Sequence, residues 1–238
     1  MTAADTGARD ERPVAPLIAV VGSDGSGKST LAADILAHVA KSRPAEMGYL
    51  GLGSGEQGRA IGRWPVIGKS LQRYLEGLAD TLRDPQATIP GMLAARYAVR
   101  RSRKRRARFD ALLERRREGV TIVTDRYPQL DVPGLHDGPI LAGKAPNEAI
   151  AALQQRERAL YAGMAIWVPT LVVRLTVDAD TVMARKPDHD RRLIEQKVAT
   201  VPQLRFNGAR IVDLDATMPY AEELALALAA VDETLAAA

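Results

Sequence analysis

Leu17–Val21 reads LIAVV and runs directly into Gly22–Ser29, GSDGSGKS, after which Leu31, Ile35, Leu36 and Val39 recur at helical spacing. A continuous apolar run of five residues predicts a parallel strand covered on both faces. The octapeptide matches G-x-x-x-x-G-K-[ST], and it stands where such a loop has to stand, between a strand and a helix. Gly22, Gly25 and Gly27 let the backbone wrap an anion with its N–H groups turned inward, and Ser23, Asp24 and Ser26 complete that wrap. The N-terminus of the following helix adds favourable potential for negative charge. In this reading Lys28 reaches the β- and γ-phosphates of ATP, the Ser29 hydroxyl coordinates Mg²⁺, and Thr30 closes the phosphate loop.

Further along, Val120–Asp125 (VTIVTD) is an apolar strand that ends in an acid. Ligands in open α/β sheets bind beyond the carboxyl ends of the strands, so Asp125 is predicted to hold Mg²⁺ or to orient an acceptor hydroxyl. Arg126 follows at once and can pair with a phosphate through two parallel donors. The remaining segments alternate in type. Strands are predicted at 47–52, 171–177 and 209–214, and helices at 68–83, 91–118, 146–164, 181–199 with an interruption at Pro187, and 219–236. Residues 51–58 and 128–145, rich in Gly and Pro, read as loops. Strands alternating with helices imply right-handed βαβ units. The predicted fold class is therefore α/β, a three-layer P-loop NTPase fold with a parallel sheet of about five strands and helices on both faces. One domain over 17–238 carries a short lid at about 184–195, behind a polar leader at 1–16.

Composition narrows the function classes. The 238 residues contain no cysteine, which removes disulfides and thiolate metal sites. The charge of +4 fits a protein that handles anions without deciding which. No stretch of eighteen apolar residues predicts a membrane span, and residues 1–16 lack an apolar signal segment, so the expected location is the cytoplasm with no membrane partner.

GSDGSGKST (22–30), TDRYP (124–128) and VDLDAT (212–217), in that order, resemble the thymidylate kinase branch of the nucleoside-monophosphate kinases. The resemblance implies an ATP- and Mg²⁺-dependent transfer of the γ-phosphoryl group to a nucleotide or nucleoside. It implies that Asp24 lies near the acceptor's sugar hydroxyl and the metal, and that Asp125 and Arg126 lie between donor and acceptor phosphates. It places Asp215 and Ala216 beside the donor adenine. It makes ARKPDHDRR (184–192) the lid, with Arg185 and Arg191 meeting charge on the transferring phosphoryl, and Lys186 and Arg192 beside them. His189 reads as an exposed lid residue. An Arg near the start of the long helix would hold the acceptor phosphate. Arg96 matches best, with Arg100 and Arg103 as rivals. Dimerisation through the long helices is also implied.

The chain departs from that family at two places. Val21 stands where Glu usually precedes the loop. The family's Arg-Glu-Pro turn is missing from YLGLGSGEQG (49–58), and the only acid there is Glu56. The acceptor pocket therefore differs, and a sugar or glycan-pathway metabolite is the alternative acceptor. The long helix carries eleven Arg and Lys residues between Arg96 and Arg117. Ala94, Ala98, Ser102, Phe109 and Leu113 share one stripe of it, with Arg105 on the same stripe. The other charges read as a solvated face. A nucleotide-binding regulator or ATPase that binds nucleic acid through this helix is a reading of a different class, and the absence of interleaved aromatic side chains speaks against it.

Overall fold

The computed structural model describes residues 14–51 and 77–237. The expectations for the first thirteen residues, for the Gly-rich loop beyond Gly51, for Glu56 and for the first part of the helix at 68–83 lie outside these residues.

Five strands, β1 (Leu17–Gly22), β2 (Ala45–Tyr49), β3 (Thr121–Asp125), β4 (Leu171–Thr176) and β5 (Ile211–Asp215), form one sheet in the order β2-β3-β1-β4-β5. Every pairing is parallel. Side chains alternate across β1 with the two-residue period of a strand. Ile18 and Val20 face α1 (Lys28–Val39) and α6 (Tyr220–Ala236), against Leu31, Ile35, Ala227 and Val231. Leu17, Ala19 and Val21 face α2 (Met92–Arg117) and α3 (Glu148–Ala165), against Phe109, Leu113, Tyr161 and Met164. This is the three-layer P-loop NTPase fold. Among the described residues no helix is long and apolar enough to cross a membrane.

The helices start and stop for local reasons. Asn147 caps α3 by accepting from the Ile150 N–H at 3.0 Å, and Glu148 sits in the first turn. The region expected at 181–199 is two helices, α4 (Ala179–Arg185) and α5 (Arg191–Thr200). Asp178 caps the first through the Thr181 N–H at 2.7 Å, and Asp190 caps the second through the Leu193 N–H at 3.2 Å. Pro187 lies in the turn between them, where its missing N–H costs no helical hydrogen bond.

α2 buries Ala95, Ala98, Val99, Ser102, Arg105, Phe109, Leu113 and Arg116. The expected stripe is thus in place, except that Ala94 is only half-buried and Ala95 and Val99 take the core side. Arg96, Arg100, Arg103, Lys104 and Arg108 are exposed. A third apolar cluster joins Leu82, Ile89, the first half of α2, Ile140, Leu141 and Ile150. It anchors the loop between β3 and α3. Glu157, buried in α3, accepts from the Ile140 N–H at 3.1 Å, the Leu141 N–H at 2.7 Å and the Ser102 hydroxyl at 2.5 Å. Burial pushes its carboxyl up against the pull of these bonds. The Gln129 amide donates to three carbonyls of the same loop. A segment that reads only as Pro- and Gly-rich is in fact tied down along its length.

Candidate active site

The connection from β1 leads to β2 on one side of the sheet, whereas that from β3 leads to β4 on the other. A crevice therefore opens between the carboxyl ends of β1 and β3, the place where open α/β sheets bind ligands. The loop after β1 and the Asp-Arg pair after β3 meet there. In that loop Gly27 is the N-cap of α1 at φ 87°, and a Cβ built on it would touch nothing within 4 Å. Gly22 has no such room: a Cβ there would lie 2.8 Å from the Leu175 carbonyl oxygen. The Thr30 and Leu31 N–H groups turn back to the Gly27 carbonyl at 3.0 and 3.1 Å. Ser23 and Ser26 are buried, and their hydroxyls have no partner among the described residues.

Lys28 Nζ donates to the Ser23 carbonyl at 2.9 Å and lies 3.7 Å from Asp24. Burial, and the neighbouring Arg126 guanidinium, lower its pKa from the ordinary lysine value. The Ser29 hydroxyl donates to Asp125 Oδ2 at 2.6 Å, bridging the ends of the two central strands. Asp125 Oδ1 is buried and takes no hydrogen bond among the described residues. Two hard oxygens side by side fit Mg²⁺, which binds through one or two protein oxygens and otherwise through water and phosphate. Among the described residues no three His, Asp or Glu side chains gather around a metal position, so phosphate and water would supply most ligands.

Beyond Asp125 a chain of alternating charges crosses the crevice. Arg126 Nη2 donates to Asp24 Oδ1 at 3.1 Å, and its Nη1 to Asp137 Oδ2 at 3.3 Å. Arg105 donates to Asp137 Oδ1 at 2.6 Å, to the Asp137 carbonyl at 2.7 Å and to the Tyr161 hydroxyl at 2.9 Å. From α5, Lys197 Nζ reaches Asp24 Oδ2 at 2.6 Å. Burial raises both carboxyls, but Lys197, Lys28 and Arg126 outweigh it at Asp24, and Arg126 and Arg105 outweigh it at Asp137. Asp24 is held well below the usual carboxylate range and Asp137 below its ordinary value. Arg126, His136 and Asp137 all have left-handed backbones, at φ 77°, 45° and 66°. Such conformations cost energy in non-glycine residues and persist where surrounding contacts fix them. His136 Nε2 lies 2.8 Å from the Lys197 carbonyl, so the loop also grips α5.

The other sequence-derived residues distribute as follows. Arg185 donates to the Gly25 carbonyl at 3.0 Å and to the Ala216 carbonyl at 2.9 Å, linking the phosphate loop to the turn after β5. In that turn Asp215 accepts from the Thr217 N–H at 2.8 Å and Ala216 is buried. Arg191 is turned away from the crevice, to Asp180 at 2.6 Å and Glu195 at 2.8 Å, because its position at the start of α5 faces solvent. Lys197, six residues further along α5, reaches Asp24 of the phosphate loop, as Arg185 reaches Gly25. Arg96 is exposed and has no ion pair among the described residues. The arginine that α2 sends into the crevice region is Arg105, since the core-facing side of the helix points there. Asp137 and Lys197 escape sequence reading: one is an acid in an irregular loop, the other a lysine on a charged helix. Arg105 did leave a signal, for an arginine on an apolar stripe requires a buried anionic partner.

Fold and crevice together define a P-loop protein of the kinase-like type. The chain belongs to the family of the Escherichia coli K12 protein named uncharacterized ATP-binding protein YghS, with which it is 42% identical over 92% of its own length and 93% of the relative's. Uncharacterized ATP-binding protein YghR of the same organism is 38% identical over 90% of this chain and 86% of its own. No protein-family model matches the chain. A solved, unliganded sugar kinase from Janibacter sp. HTCC2649 is 18% identical over 94% of this chain and 98% of its own, with a TM-score of 0.40. That likeness is too distant to bear on the activity.

Proposed function

We propose that this protein is an ATP- and Mg²⁺-dependent phosphotransferase that moves the γ-phosphoryl group of ATP to a hydroxyl of a small acceptor. The observation that carries the reading is the 2.6 Å contact between Ser29 and Asp125 at the mouth of the Gly-rich loop, with Lys28 beside it. The ATP-binding names of its relatives support it. Gly22–Gly27 and the start of α1 enclose the phosphates, and Arg185 with the Asp215–Ala216 turn walls the adenine. Ser29 and Asp125 would hold a Mg²⁺ ion, which would offset the charge of the ATP phosphates.

Lys28, Arg126 and Lys197 converge on the place of the transferring group. The acceptor oxygen bonds to the γ-phosphorus as the bond to the β–γ bridging oxygen breaks, and ADP leaves with that electron pair. The transition state is loose, so the hydroxyl proton departs late, to an oxygen of the transferred group. Positioning and charge neutralisation then supply most of the rate. Short motifs shared with thymidylate kinases favour a nucleotide or nucleoside acceptor. The missing Arg-Glu-Pro turn favours an acceptor outside the nucleotides, such as a sugar. The test is ATP consumption with Mg²⁺ against nucleoside monophosphates, nucleosides and sugars. Turnover with one class is expected, and Lys28→Ala should lower it about a hundredfold or more. ATP binding with no turnover across the panel would overturn the reading.

A further inference from the structure

Resting on that reading, the charge balance of the crevice narrows the acceptor. We infer that the acceptor carries no phosphate of its own and presents neighbouring hydroxyl groups to Asp24 and Asp137. The argument begins with Arg126. It stands between the phosphate loop and the acceptor side, where an arginine ready for an acceptor phosphate would keep its donors available. Both of its terminal nitrogens are instead engaged by carboxylates of the same chain, Asp24 at 3.1 Å and Asp137 at 3.3 Å. Lys197 spends its charge on Asp24 at 2.6 Å and Arg105 on Asp137 at 2.6 Å. Three more arginines stand near this network, each directed to an oxygen of its own. Arg83 lies 3.9 Å from Asp80, Arg101 donates to the Tyr97 hydroxyl at 2.8 Å, and Arg108 to the Tyr49 carbonyl at 3.5 Å.

Counting charges decides between acceptor classes. Lys28, Arg126 and Lys197 face Asp24 and Asp125, which among the described residues leaves a surplus of one positive charge at the phosphate loop. Asp137 and Arg105 cancel. The γ-phosphoryl group consumes that surplus. A phosphate monoester on the acceptor would add about two further negative charges at neutral pH. It would have to displace two carboxylates and then sit beside them. Hydroxyl groups meet no such obstacle. An ionised carboxylate can only accept hydrogen bonds, and a hydroxyl can donate one without disturbing the pairs already made. The loop geometry supports the same role. His136 and Asp137 are held in left-handed conformations by Arg105, by Gln129 and by the contact with α5, so the carboxyl is fixed at the crevice rather than trailing in a surface loop. A site that positions its acceptor by half-buried, fixed carboxylates selects strongly for the hydroxyl that fills them.

The experiment compares matched pairs at saturating ATP and Mg²⁺: uridine with uridine monophosphate, thymidine with thymidine monophosphate, and glucose with glucose 6-phosphate. The expected result is a kcat/KM at least about tenfold higher for the unphosphorylated member of the productive pair. Asp137→Asn should raise the acceptor KM about ten- to hundredfold while the ATP Kd is unchanged. Preference for the phosphorylated member overturns this inference and leaves the kinase reading standing, as does an Asp137→Asn variant that stays folded with an unaltered acceptor KM. No turnover with either member of any pair overturns both. The wild-type comparison decides the matter even where Asp137→Asn does not fold.

Discussion

At the scale of single residues, the crevice works by holding two acids ionised. Asp137 is mostly covered between Arg105 and Arg126, and its carboxyl is held below its ordinary value of 3.8. A group with a depressed pKa in the folded state contributes stability above its unfolded pKa and loses it as the pH falls further. The wild type should therefore lose stability as the pH drops below about 4, and Asp137→Asn should lose less over the same interval while starting from a lower value at pH 7. Urea unfolding at pH 3 and pH 7 reads both. Equal pH dependence in the two proteins would show that Asp137 is not paired in solution. Residue identities here were only partly legible. Lys28, Ser29 and Asp125 could be read because the motif and the strand fix their places. Asp137 and Lys197 could not, since neither has a local pattern that marks it.

At the scale of elements, α2 and the β3–α3 loop act as one unit. Arg105 crosses from the core face of α2 to the loop and satisfies both the Asp137 carboxyl and its carbonyl. Glu157 does the complementary task from α3, through two loop N–H groups. Removing one partner of a buried ion pair leaves the other uncompensated, at a cost of about 3–5 kcal/mol. Arg105→Ala should lose stability in that range by chemical denaturation. It should also release the loop, visible as faster amide exchange at Ile140 and Leu141. A loss below about 1 kcal/mol would mean that the loop holds without the arginine. The long helix, its stripe and the placement of Arg105 on that stripe were all readable from periodicity. What periodicity omits is the partner, because the anion comes from a loop thirty-two residues away.

At the scale of the whole molecule, the parallel sheet brings four distant segments to one edge: the phosphate loop, the Asp-Arg pair, the turn after β5 and the helices α4 and α5. Ligand binding to such a convergent site stabilises the folded state by mass action, by about 2.7 kcal/mol at a hundred times Kd. Thermal unfolding should rise with ATP and Mg²⁺ together and by less with ATP alone, and Asp125→Asn should remove most of the difference. The same increment with and without Mg²⁺ would argue against Ser29 and Asp125 as the metal site.

The sequence by itself determined the phosphate loop, the parallel strands, the helix break at Pro187 and the places of Ser29 at the start of α1 and Asp125 at the end of β3. These follow from local patterns: apolar runs, glycines at turns, caps and a proline break. The tertiary structure alone decided that Lys197 reaches Asp24, which arginine of α2 turns to the crevice, and that Asp137 pairs with both Arg105 and Arg126. Those are choices of partner between segments far apart in the chain, and they are made by which side of a helix the core claims and where a braced loop sets its carboxylate.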